Sequence, residues 1–406
     1  MMRRRAALWA LLAGVLLALP APACALGTGP LRARLAAVMR HAGPSAGAYA
    51  IDLGTGAQLF ASRPDLTLAP ASVEKLYTTS TALLRFGPAR TLDTTVSATA
   101  PVLLGTPVRG NLYLQGGGDP TLTTARLQAL AHSVRVLGIT RVEGAVLADE
   151  TLFDGLRGSY DTGYRLDSEI VGELGALVAD RGFAQHRFQP SPALFAARRL
   201  VAALRREGVT VTGKTGLSPT PAGATVLARS RSIPVSALIA ATNVPSDNFY
   251  AEMLLKGLGA TFGGAGSTAA GPAVVRAEAA KFGASPRVVD GSGLSRADHT
   301  SPRQVVALLR GVDATDQGAA FVSSLPLAGR SGTLSTRMRG TPAQGRCRAK
   351  TGTLIGVSNL AGICTTASGE RVAFAILMTN VSTYRARRLQ DHMAAALATY
   401  EPGGNR

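Results

Sequence analysis

Three short stretches, far apart in the chain, carry residue types that could together perform acyl transfer. Ser72-Val73-Glu74-Lys75 places a hydroxyl three residues before an amine. Ser246-Asp247-Asn248 sets a second hydroxyl beside an amide, and Lys350-Thr351-Gly352 is followed by Thr353. A serine hydroxyl is a poor nucleophile at neutral pH unless a base takes its proton. Lys75 can be that base only with a lowered pKa, which burial and a second cation would supply; Lys350 is the candidate second cation. On a helix, positions 72 and 75 share a face, and a helix N-terminus favours negative charge developing on the Ser72 oxygen. Each stretch alone is weak, because a Ser-x-x-Lys is equally a capped helix with a solvated lysine. Their combination, in this order, carries the weight.

Such residues need elements to hold them. Pro70-Ala71-Ser72 reads as the opening of a helix that runs to about Phe86 and stops at Gly87-Pro88. Ser246-Asp247-Asn248 precedes a helical pattern over 247–258, a loop-to-helix junction that would project Ser246 and Asn248 into a cleft. Lys350-Thr351-Gly352 falls on one strand of a hairpin turning at Ile355-Gly356. There Gly352 would admit the backbone of a substrate, and the strand edge could pair with an extended peptide. Counting outward from the turn pairs Leu354 with Val357 and Cys347 with Cys364, so an oxidising compartment would permit a disulfide between them. A hairpin is expected over 47–60 and another strand over 371–378, with helices over 31–41, 235–242, 269–282, 301–309 and 384–400. Between 91 and 234 the texture changes. Strand-like pieces at 94–98, 111–115 and 141–147 mix with helical patterns at 124–137 and 192–207, as in an inserted α/β-type accessory region.

Bulk properties bound these readings. A chain of 406 residues is long for one core when domains run about 100–200 residues. The expected division is 1–25 as a signal peptide, 26–90 with 235–400 as a catalytic domain, 91–234 as the insert and 401–406 as a tail. The N-terminus has a basic Arg3-Arg4-Arg5, an apolar run from Ala6 to Leu19, and Ala23-Cys24-Ala25 at the cleavage position. Export to a periplasm or an extracellular cell-wall space follows, with the mature chain soluble. A lipid anchor at Cys24 is disfavoured because Ala21 stands where such a motif prefers Leu. The formal net charge is +18, from 43 basic and 25 acidic residues. The basic residues are dispersed and aromatics make up only 5%, which argues against nucleic acid and fits attraction to an anionic envelope polymer. The P-loop pattern from Gly208 to Thr215 lacks the strand before it and the helix after it that nucleotide binding needs. The five histidines show no zinc-ligand spacing, so no metal or other cofactor is expected.

The trio resembles the motifs of the penicillin-recognising serine enzymes. The chain is similar to the class C low-molecular-mass penicillin-binding proteins, the D-alanyl-D-alanine carboxypeptidase/endopeptidase group. Further stretches carry the likeness: Tyr113 to Thr121, with Gly116-Gly117-Gly118-Asp119; Asp290-Gly291-Ser292-Gly293-Leu294-Ser295-Arg296; Gly332-Thr333-Leu334; and Lys350 to Leu354. The resemblance implies an α+β fold, a transpeptidase domain of the penicillin-binding-protein and serine β-lactamase type, with an antiparallel sheet flanked by helices and an inserted accessory region. It implies Ser72 as nucleophile, Lys75 as base, and Ser246 and Asn248 as catalytic partners. Lys350, Thr351, Gly352, Thr353 and Asp247 would receive substrate, with the N–H groups of Ser72 and Thr353 as oxyanion hole. Peptidoglycan stem peptides would be the substrates and β-lactams covalent inhibitors. The stretch 152–190 departs from the family pattern. A β-lactamase or esterase on the same core, or a non-catalytic envelope-binding protein, is the competing reading.

Overall fold

The computed structural model describes residues 25–99 and 105–404. The expected signal peptide lies outside them apart from Ala25, as do Cys24 and the last two residues of the tail. Five strands form an antiparallel sheet in the spatial order Cys347–Leu354, Val357–Thr365, Arg371–Thr379, Ala46–Asp52 and Gln58–Ser62. The N-terminal hairpin therefore completes a sheet begun by the C-terminal meander.

The strand Arg371–Thr379 shows why this sheet forms. Its residues alternate between two cores, Ala373, Ala375 and Leu377 facing one and Val372, Phe374, Ile376 and Met378 the other. That is the period of two of extended chain. Both faces are covered, so the run is apolar throughout. On the first face pack the helices Lys75–Phe86, Val235–Asn243, Asn248–Phe262, Ala270–Ala280 and Pro302–Asp313. On the second lie Thr28–Met39 and Thr383–Leu397.

Residues 93–231 carry a second five-stranded sheet, in the order Gly216–Leu217, Val146–Asp149, Leu112–Gln115, Asp93–Ala98 and Thr225–Arg231. It is mixed: the first three strands run parallel and the remaining pairings are antiparallel. The helices Thr124–Val136 and Pro192–Arg206 cover it around a separate core. The strand expected over 141–147 is two strands, Arg141–Val142 and Val146–Asp149. They divide at Gly144, where a Cβ would sit 2.4 Å from the Gly110 carbonyl oxygen, so the chain is pressed onto its neighbour and cannot stay extended. The P-loop-like stretch holds the short strand Thr210–Val211, paired parallel with Arg141–Val142, and leads into Gly216–Leu217 with no helix between. The expected helix over 384–400 stops at Leu397. Cys347 lies opposite Cys364, and their sulphurs are bonded.

Candidate active site

Residues Ala71–Glu74 form a 3-10 turn that runs directly into the helix Lys75–Phe86, where the sequence pattern had led us to expect one α-helix. In a 3-10 turn, side chains three apart eclipse. Ser72 and Lys75 consequently meet, with Nζ 3.1 Å from Oγ. Ala71 sits at a φ of 45°, a left-handed conformation that costs an L residue about 1 kcal/mol or more. A buried neighbour holds the strain in place. Asn359, on the strand next to the edge, donates from Nδ2 to the carbonyls of Ala69 (2.9 Å) and Pro70 (2.7 Å), while its Oδ1 accepts the Met378 N–H at 2.9 Å.

Lys75 is fully buried. Besides Ser72 it reaches Asn248 Oδ1 at 2.7 Å and the Ser292 carbonyl at 2.6 Å. These two partners only accept. A neutral amine has two hydrogens and one lone pair, so with the hydrogens directed at Asn248 and Ser292 the lone pair faces the Ser72 hydroxyl. That is the orientation a general base requires. Burial lowers the Lys75 pKa to about 8, against the pull of the nearby carboxyls of Asp290, Glu252, Asp247 and Glu74. Burial, and then the charge of Lys75, hold Lys350 well below the ordinary lysine value.

Lys350 Nζ donates to Ser246 Oγ at 2.8 Å and to the Thr351 carbonyl at 2.9 Å, linking the second and third motifs. Ser246 is itself left-handed, at a φ of 65°, which turns its side chain out ahead of the helix Asn248–Phe262. Cys347–Leu354 is an edge strand. Its two-residue turn pairs Leu354 with Val357, so alternate residues bond inward and those between face the open edge. Ala349 confirms the alternation, since its N–H bonds to Pro326 across that edge at 3.0 Å. Thr351 and Thr353 have the same outward parity. Their side chains line a cleft of about 310 Å³ with Ser72, Ser246, Asn248 and Thr333.

Two expected site residues are placed elsewhere. Asp247 does not line the cleft. Its carboxylate caps the helix by accepting the Tyr250 N–H at 3.0 Å and pairs with Arg181. Gly352 faces the protein's own 3-10 turn, where a Cβ would lie 2.5 Å from the Pro70 carbonyl oxygen; glycine is needed there for the strand to approach the nucleophile. Other contacts were not legible in advance. The Glu169 carbonyl accepts Asn248 Nδ2 at 2.7 Å, a main-chain contact with no side-chain signal. Thr333 Oγ1 accepts from Thr351 Oγ1 at 2.8 Å, and its Gly332-Thr333-Leu334 setting was the one hint of it.

The model of the D-Ala-D-Ala carboxypeptidase 3 (S13) family matches residues 31–190 and 175–400, its two segments meeting within the stretch expected to depart from the pattern. The chain is 32% identical over 443 aligned residues to a D-alanyl-D-alanine carboxypeptidase of Actinomadura sp. (strain R39), covering 88% of this chain and 82% of that one. It is 31% identical to the carboxypeptidase DacB of Mycolicibacterium smegmatis, over 85% and 78% of the two chains. Penicillin binding protein 4 (dacB) of Haemophilus influenzae has a similar fold, with a TM-score of 0.77 at 22% identity, covering 88% of this chain and 97% of that one; it has also been solved with a β-lactam, and that structure superposes with a TM-score of 0.72. The chain therefore belongs to the D-Ala-D-Ala carboxypeptidase 3 (S13) family.

Proposed function

We propose that the chain is an exported serine D-alanyl-D-alanine carboxypeptidase, with endopeptidase capacity, that cleaves peptidoglycan stem peptides through an acyl-enzyme on Ser72. The observation that carries this reading is the Ser72–Lys75–Asn248 cluster at the floor of the cleft, with Lys75 buried and aimed at the hydroxyl.

Lys75 accepts the Ser72 proton as Oγ attacks the penultimate D-Ala carbonyl. The oxyanion that forms takes hydrogen bonds from the N–H groups of Ser72 and Thr353; one such donor is worth about 3–4 kcal/mol of barrier. The C–N bond then breaks. Ser246, hydrogen-bonded to Lys350, passes the proton that Lys75 took from Ser72 on to the departing nitrogen, leaving Lys75 neutral, the ester on Ser72 and free D-Ala. Thr351, Thr333 and Lys350 receive the terminal carboxylate. Water cleaves the ester and restores the hydroxyl. A β-lactam enters by the same attack, but its opened ring stays tethered, so the ester persists. No step needs a cofactor. The net charge of +18 would hold the enzyme near anionic envelope polymers.

The test is release of D-Ala from an acylated stem-peptide mimic ending in D-Ala-D-Ala. The native chain should release it, and both Ser72→Ala and Lys75→Ala should lose at least about 100-fold in rate. Undiminished release in either variant would refute the assignment.

A further inference from the structure

Near Lys75, four carboxyl side chains come together: Glu74, Glu252, Asp290 and Asp298, each no more than 3% exposed. Like charges in a dry interior are costly, and nothing in the acyl-transfer chemistry requires so many. Three of the four build one loop. Glu252 Oε1 accepts the N–H groups of Gly291 (3.0 Å) and Ser292 (2.8 Å). Asp290 accepts those of Ser292 (3.1 Å), Gly293 (2.6 Å) and Ser295 (2.8 Å). Asp298 accepts the Val289 N–H at 2.6 Å. The product of this scaffold is the Ser292 carbonyl, aimed at Lys75 Nζ from 2.6 Å. Glu74 is different: neither of its oxygens has a hydrogen-bond partner among the described residues, and its Cβ packs against Gly293.

We propose that these four carboxyls are a proton-holding cluster that positions Lys75 through the Ser292 carbonyl and sets the pH at which Lys75 can take the Ser72 proton, with Glu252 as the controlling charge. The proposal rests on Lys75 being the base for Ser72. The charged and titratable groups around Lys75 divide by element. Glu74 and Tyr77 lie on its own segment. Asp247, Glu252 and Lys256 come from the helix Asn248–Phe262 and the residue that caps it, and Lys256 is already paired with Asp154 at 2.5 Å. Asp290 and Asp298 come from the loop, and Lys350 from the edge strand. Asp290 accepts three N–H groups of its own loop. Burial and then the Asp290 charge push Glu252 up to about 7, and the same two causes drive Asp298 and Glu74 well above the carboxylate range. Glu252 and Lys75 therefore change charge in neighbouring pH ranges. An ionised Glu252 favours the ammonium form and delays the base; a protonated one does not.

The test follows acylation of the full chain by a penicillin between about pH 5.5 and 10. Glu252→Gln keeps an oxygen for the Gly291 and Ser292 N–H groups and removes only the charge. Its acid limb should move to lower pH by about half a unit or more. A purely structural role would lower the rate at every pH and leave the limb in place, which would overturn the proposal. Glu74→Gln supplies a second measurement should Glu252→Gln not fold. An acid raised on folding binds its proton more tightly in the native state, so the native chain loses stability as pH climbs from the ordinary carboxyl value through the raised one. Glu74→Gln has no proton to lose. Its melting temperature should exceed that of the native chain at pH 8–9, and the gap should shrink towards pH 4–5. A gap that does not change with pH would also overturn the proposal. Absence of any adduct in the native chain would instead sink the Ser72 assignment itself, so the two failures are distinguishable.

Discussion

The chemistry at the nucleophile depends on the valence of one nitrogen. Lys75 has three polar neighbours, of which two only accept, so its neutral form has one orientation and that orientation serves Ser72. Asn248→Ala removes one of those acceptors and frees the amine to rotate; we expect acylation to fall by about 10²–10³-fold with little change in melting temperature, measured as the rate of adduct formation. Because Lys75 is held at about 8 by burial, the rate should climb as pH rises through that value and the ammonium becomes amine. A rate flat from about pH 6 to 10 would show that Lys75 does not titrate in the rate-determining step. The residues of the trio were legible in the sequence because their types are chemically restrictive. Asp247 shows the limit of that signal: it adjoins two reactive residues, and its carboxylate serves the helix cap and Arg181. Side-chain type cannot distinguish a cap from a ligand when both sit at a loop-to-helix junction.

Among the elements, the edge strand and the 3-10 turn are mutually dependent. Gly352 lets the strand pass within contact distance of Pro70 and Ser72, and Asn359 ties the same turn from the neighbouring strand. Gly352→Ala would force a Cβ to 2.5 Å from the Pro70 oxygen, and we expect a loss of acylation of at least about 10-fold, as the turn or the strand must move by a few tenths of an ångström or more. Asn359→Ala strands two buried carbonyls and a buried N–H, and should cost about 2–3 kcal/mol in a denaturant melt. The hairpin register was legible because a two-residue turn leaves no freedom in counting outward, and Cys347 pairs with Cys364 accordingly. Most helices were legible from apolar periodicity and stop signals. The 3-10 turn was not, because Ala71-Ser72-Val73-Glu74 has no propensity that separates it from the first turn of an α-helix; tertiary hydrogen bonds from Asn359 decide it. The strand expected over 141–147 failed similarly, its break set by a close contact at Gly144 that no local pattern records.

Over the whole molecule, the two sheets have separate cores, and the irregular chain from 150 to 191 links them across the cleft. It brings the Glu169 carbonyl to Asn248 and Arg181 to Asp247. Arg181 also lies over the rings of Phe249 and Tyr250, 5.1 and 5.0 Å from their centroids. Arg181→Ala removes these contacts together; a loss of about 1–2 kcal/mol is expected in a thermal or denaturant melt. This stretch was the least legible part of the chain. It has little periodicity, and its role is performed largely by main-chain atoms, which composition does not reveal. The family resemblance and the antiparallel sheet with an inserted α/β-type region were, in contrast, available from a handful of motifs and the change of texture near residue 91.

The most direct test of the account is the mass of the intact protein after exposure to a penicillin, followed by mapping of the modified peptide. The native chain should gain one penicillin, carried on the peptide containing Ser72 and released slowly, and Ser72→Ala should gain none. An adduct that survives in Ser72→Ala, or rapid production of ring-opened penicillin with no adduct at all, would contradict it.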